Sequence, residues 1–217
     1  MIINLLNKFT LIGYLSEVRV DLFRSHIKTK LSIDLKGHNI TCYATISRRF
    51  NKEWHNEFES LLSRLAPKQD GWVYVNDRQY YKMDSYAQPS FLFVSGNISS
   101  SGDMIFFNFE YCKILDEQLT PSMSIEIEGQ FVGKDKFLNI ISDSPRIFNL
   151  NRPNRAIEGK IYKAWIQYNP SCRVQDDIIY PIDIDKLTLE RIEQTDKQIP
   201  DEQLQDYMLE WKIINDQ

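Results

Sequence analysis

The sequence predicts a mainly β protein (all-β class), on three observations. Side chains alternate with a period of two over the first third of the chain, turn signals separate the alternating runs, and a helical period is confined to residues 51–65 and the C-terminal end. The first strand, Phe9 to Val20, is apolar on both faces up to its middle, and Gly13 interrupts it as glycine does at a bulge or a barrel bend. In His26–Asp34 the odd positions Ile27, Thr29, Leu31 and Ile33 are apolar or β-branched, and the even positions are polar. Lys36-Gly37 marks a turn, and His38–Ile46 alternates again, with Ile40, Cys42, Ala44 and Ile46 on one side. These two runs make a hairpin with one buried and one exposed face.

The period then switches. Asn51 can cap a helix through Leu65 that gathers Trp54, Phe58, Leu61, Leu62 and Leu65 on one stripe, and Pro67 ends it. Residues 68–89 read as a strand plus an irregular loop rich in Tyr, Asp and Gln. Strands resume at Ser90, where an internal repeat runs at an offset of 33 residues, VSGNISSSGDMIFFNFEYCKIL (94–115) on IEGQFVGKDKFLNIISDSPRIF (127–148). Gly96 matches Gly129, each copy reads as strand, tight turn, strand, and IEGKIYKAWI (157–166) is a partial third echo through Gly159. Ile178–Ile184 is a candidate strand, Asp185–Gln194 a short helix and Asp201–Ile214 a second helix after Pro200.

Composition narrows the function. The 217 residues are 42% hydrophobic and 26% charged, with 8 Gly and 8 Pro, which fits a packed core and excludes low-complexity linkers. Cys42, Cys112 and Cys172 are isolated and read as idle thiols rather than metal ligands or a disulfide framework. The start, MIINLLNKFTLIGYL, lacks a basic leader, and no apolar run is long enough to cross a bilayer, so a cytoplasmic location is expected. Net charge is −4, but residues 176–217 hold 12 acidic and 4 basic side chains, leaving 22 basic against 18 acidic in residues 1–175. A mildly basic body with an acidic end suits a protein that touches polyanions.

No catalytic constellation stands out. His26, His38 and His55 have no metal-ligand spacing, and neither a GxSxG nor a phosphate-cradling GxxxxGK[ST] is present. Glu126 and Glu128 share a strand face, and Glu53 and Glu57 a helix face; both pairs read as solvated surface. The expectation is no enzyme, no cofactor and no metal. Binding chemistry is better represented. The exposed hairpin face carries Lys28, Lys30 and Tyr43, with Arg48, Arg49 and Phe50 at its exit: cations for phosphates and a ring for base stacking. A second aromatic-basic cluster, Trp72, Tyr74, Arg78, Tyr80, Tyr81, Lys82 and Tyr86, could clamp a nucleic-acid strand, form a small core of its own or grip a protein. In the last helix Leu204, Tyr207, Met208, Trp211 and Ile214 form a stripe that packs back on the body or docks a partner.

N-K-F-T-L-I-G-Y-L (7–15) resembles the opening strand of bacterial and phage single-stranded-DNA-binding proteins, and the order that follows is also similar: a hairpin, a polar-aromatic strand (ITCYATISRRF, 40–50), then a helix. That family has the OB fold, a five-stranded barrel that binds single strands across its second and third strands. The resemblance covers about residues 7–66 and leaves two segments, 71–78 and 91–99, competing for the fourth barrel strand. It implies binding by Lys28, Lys30, Tyr43, Arg48 and Arg49, and by Trp54 if its ring is not buried. The C-terminal end departs from the family pattern: it is acidic, reads as partly helical and finishes W-K-I-I-N-D-Q.

The expected architecture is therefore an OB-fold barrel with an inserted helix at 1–118, a second OB-like strand-rich unit at 119–185 and an acidic, partly helical end at 186–217. The expected function is largely sequence-independent binding of single-stranded DNA (RNA being the variant), by stacking and phosphate neutralisation, in replication or recombination. Replication or recombination proteins would meet the acidic end; a homo-oligomer is compatible, a membrane is not expected. The Asn-, Ile- and Lys-rich composition points to an AT-rich phage or mobile element. The alternative is a protein–protein adaptor on the same barrels, using the 72–86 cluster and the C-terminal stripe.

Overall fold

A computed structural model describes residues 5–22, 26–47, 49, 52–65, 72–75, 78–82, 90–101, 104–117, 119–141, 144–168 and 187–215. Among them the chain forms, in order, β1 (Asn7–Leu22), β2 (His26–Leu35), β3 (His38–Ser47), α1 (Lys52–Leu65), β4 (Trp72–Val75), β5 (Arg78–Lys82), β6 (Phe91–Ser101), β7 (Met104–Leu115), β8 (Ser122–Phe131), β9 (Lys136–Ile141), β10 (Ser144–Asn149), β11 (Ile161–Tyr168), β12 (Leu187–Gln194) and α2 (Asp201–Asn215).

The apolar side of β2 and β3 alternates as the sequence predicts, but the polar side is not exposed throughout: Ser32 and Thr41, opposite each other, are buried. Ile27, Leu31, Ile33, Ile40, Cys42 and Ile46 are buried, while Lys28 and Thr45 are exposed. Lys36 and Gly37 form the two-residue turn with φ of 55° and 89°, the left-handed pair that suits a right-twisted hairpin. The Gly37 amide donates to Asp34 Oδ1 at 2.8 Å. The meander β1–β2–β3 is closed by β7 and β6: β3 pairs β7 in parallel, β7 pairs β6, and β6 returns to β1. The result is a closed five-stranded OB-like barrel with α1 between its third and fourth strands. The fourth strand is 91–101; the competing segment 71–78 contributes to β4 and β5, a hairpin on the flank of β1.

The helix supplies the barrel with a plug. Phe58 is fully buried and meets Phe109 at 5.5 Å, while Trp54 and Leu61 pack partly buried beside it. Glu53 in the first turn and Arg64 in the last complement the helix dipole. Inside the barrel Phe9 and Phe107 pack edge to face at 5.0 Å. Cys42 and Cys112 are buried there as free thiols. Burial pushes Cys112 up to about 12, and burial with Cys112 nearby pushes Cys42 up as well, so both stay protonated and inert.

β1 has four partners. One of its edges holds β8 along Asn7–Ile12 and β2 from Tyr14 onward; the other holds β6 along Lys8–Tyr14 and β5 along Arg19–Leu22. Through β8 the sheet continues to β11 and β12 and to the β9–β10 hairpin. Met123, Ile125 and Ile127 of β8 therefore join one apolar core with Phe9 and Leu11.

Four expectations are corrected. The bulge in β1 is not at Gly13, which stands instead where the strand passes from β8 to β2. A Cβ on Gly13 would sit 2.5 Å from the Asp34 carbonyl oxygen, and the bulge falls three residues on, where register passes from Leu15 to Glu17 and skips Ser16. The second repeat copy is not a single hairpin: 127–148 spans the end of β8, β9 and β10. Gly96 and Gly129 do share a role, since a Cβ on either would lie 2.0 or 2.1 Å from a neighbouring strand's carbonyl oxygen. Gly159, with φ of 79°, instead lies in a turn. Finally, Leu187–Gln194, read as helix, is strand β12. Its register against β11 skips Glu190, which puts Leu187, Leu189 and Ile192 on the covered side and imitates a helical spacing. The candidate strand Ile178–Ile184 lies outside the described residues.

Glu128 is the fourth correction. It is 7% exposed rather than solvated. Its Oε2 accepts from the Leu6 amide at 2.9 Å and from Lys197 Nζ at 2.5 Å, tying the segments before β1 and after β12 to β8. Beyond this clasp, Leu204 and Tyr207 of α2 pack on Leu5, Ile140, Ile161 and Ile199. Removing one partner of a fully buried pair costs about 3–5 kcal/mol; Lys197 is 44% exposed, so Glu128→Gln is expected to cost about 1–2 kcal/mol. A urea midpoint measures it, and a midpoint equal to that of the unaltered chain refutes the clasp.

Candidate functional site

The outer face of the barrel wall is built by register. Tyr43 on β3 stands opposite Lys30 on β2, and Lys30 stands opposite Arg19 on β1. At about 4.8 Å per strand, the ring and two cations fall in one transverse row about 10 Å wide. Arg19 is exposed, and Lys30 and Tyr43 are half-buried. The parallel seam puts Asn108 of β7 beside Tyr43, and the Phe106 ring meets the Tyr43 ring edge-on at 6.0 Å. The next row holds Thr45, Lys28 and the Asp21 register position. Arg49 is exposed beyond the end of β3.

Arg19 and Lys30 form a like-charge pair directly opposite each other, an arrangement that destabilises a sheet. An anion lying along the row would be attracted by both. The β4–β5 hairpin extends the same wall: Lys82 occupies the register position opposite Arg19, and Tyr80 the one opposite Asp21. Of the second sequence cluster, Arg78, Tyr80 and Lys82 take register positions on this face, across the order β4–β5–β1–β2–β3, whereas Trp72, Tyr74 and Tyr81 take positions of the opposite face.

The remaining expected residues divide as follows. Lys28, Lys30, Tyr43 and Arg49 lie on or beside this face. Trp54 is on α1, with its ring 5.5 Å from Phe58, and faces β7 rather than this wall. Trp72, Tyr74, Arg78, Tyr80, Tyr81 and Lys82 are described only as backbone in β4 and β5; Arg48, Phe50 and Tyr86 lie outside the described residues. On α2, Leu204 and Tyr207 pack inward, Met208 is half-buried, and Trp211 is described only as backbone.

Sequence reasoning missed three aromatic or basic positions. Arg19 completes the row. Tyr111 on β7 is 46% exposed and stacks on Trp54. Trp165 on β11 carries Arg191 at 3.8 Å and Lys163 at 4.7 Å from its ring centroid, and Lys163 also pairs with Glu126. Trp165, with Lys8 and Glu126, borders a hollow of about 170 Å³.

Among the described residues no group of three or more His, Cys, Asp or Glu could hold a metal ion. No described helix is long and apolar enough to cross a membrane. No protein-family model matches the chain, and no curated protein matches its sequence.

Proposed function

We propose that the chain binds single-stranded DNA across the outer wall of β3, β2 and β1, with little sequence preference. The observation that carries this reading is the Tyr43–Lys30–Arg19 row: a ring for a base at one end and two adjacent cations for backbone phosphates beside it. The barrel order, and a helix between the third and fourth barrel strands, agree with the single-strand-binding proteins that residues 7–15 resemble. Replication and recombination expose such strands in the cytoplasm, and a phage or mobile element is the source that the composition suggests.

The test is titration with oligo-dT at 50 and 200 mM salt. With three or four phosphates neutralised, each contributing a slope of about −0.7, affinity should fall about 20- to 50-fold over that range. Absence of binding at 50 mM, or binding indifferent to salt, refutes the proposal.

A further inference from the structure

We infer that the groove between α1 and β7 is a second stacking site for the same strand, centred on Tyr111; this rests on the proposed single-strand binding. The groove encloses about 310 Å³ and is lined by Trp54, Tyr111, Arg64, Lys113, Glu57 and Asp116 among others. Tyr111 is 46% exposed, yet its ring is held. Trp54 lies nearly parallel to it, at 15° with centroids 6.2 Å apart, and Phe93 meets it edge-on at 6.0 Å. A ring fixed by two others and still open to solvent gives a base a platform whose ordering entropy has already been lost.

The position of the groove links it to the Tyr43 row. Asn108 stands beside Tyr43, and Tyr111 follows three residues further along the same strand, about 10 Å at 3.3 Å per residue. The bulge at Glu110 is what turns Tyr111 outward: register passes from Tyr111 to Phe109, so Phe109 and Cys112 are buried and Tyr111 is not. Arg64 and Lys113 offer cations to the backbone, but Glu57 and Asp116 on the same groove offset them. The groove is therefore near neutral and attracts no polyanion by itself. It serves a strand already held by the row, which makes its contribution depend on strand length.

The experiment compares dT4 with dT15 in the full chain. Tyr111→Ala should lower dT15 affinity by about 5- to 150-fold, the range for removing one stacked base, and leave dT4 within twofold. Tyr43→Ala should weaken both lengths. Lys113→Glu, at an exposed position, should weaken dT15 selectively and does not depend on how Tyr111→Ala folds. Unchanged dT15 binding in both the Tyr111 and Lys113 variants overturns the inference while leaving the row intact. Failure of the unaltered chain to bind dT15 overturns both.

Discussion

Reversing Arg19 and Lys30 together, Arg19→Glu with Lys30→Glu, is expected to lower oligo-dT affinity about 100-fold at 50 mM salt, tenfold for each cation that no longer meets a phosphate. The salt slope should become shallower by about 1.4, two phosphates at about 0.7 each. The design is clean because the two residues are direct cross-strand neighbours. The sign seen by phosphate is inverted at both positions, and neither side chain belongs to the apolar core. Stability from urea unfolding should stay within about 1 kcal/mol of the unaltered chain. Loss of binding with loss of stability would point to misfolding instead; full binding with an unchanged slope would remove this row from the account. The single variant Tyr43→Ala should leave the slope alone and lower affinity at every salt concentration, which separates stacking from charge.

The largest expected effect on folding is at Gly96. A Cβ there would lie 2.0 Å from the Asn108 carbonyl oxygen and 2.6 Å from the Phe109 Cα. Those atoms are backbone of the facing strand, so no side-chain rotation relieves the clash; β6 and β7 would have to part beside the Glu110 bulge. Gly96→Ala is expected to cost about 3 kcal/mol or more, the upper end for overpacking. Gly133 provides the control: a Cβ there meets nothing within 4 Å, and Gly133→Ala should stay within about 0.5 kcal/mol. Equal midpoints for the two variants would mean that β6 and β7 are not pinched together at Gly96. Since Asn108 also adjoins Tyr43, a folded Gly96 variant should bind oligo-dT less well.

The barrel was legible because the apolar positions of β2 and β3 keep phase from Ile27 to Ile33 and from Ile40 to Ile46, although Ser32 and Thr41 on the polar side are covered as well. The helix stripe at Trp54, Phe58 and Leu61 was legible for the same reason, a single local period, and the turn at Lys36-Gly37 because its glycine suits a positive φ. What escaped lies beyond bulges. Counting by twos from Phe9, Leu11 and Leu15 puts Arg19 inside the barrel; skipping Ser16 buries Val18 and turns Arg19 outward. Counting from Phe107 and Phe109 buries Tyr111; skipping Glu110 exposes it. The same shift at Glu190 made a strand look helical. A bulge is fixed by the partner strand's register, which a single sequence does not display. The adjacency of Lys82 to Arg19 was hidden for a different reason. It is a pairing between β5 and β1, set by tertiary structure rather than by any local pattern.

The four-partner strand β1 has a kinetic consequence. Its Asn7–Ile12 segment is made well before the strand that covers one of its edges, Ser122–Ile127. Until then a row of unpaired amides and carbonyls beside apolar Phe9 and Leu11 stands open, the condition under which chains add to one another edge to edge. Long-range closures of this kind also slow folding, because the loop must close before any pairing rewards it. Refolding yield should therefore depend on protein concentration more steeply than the stability of the finished barrel alone would suggest.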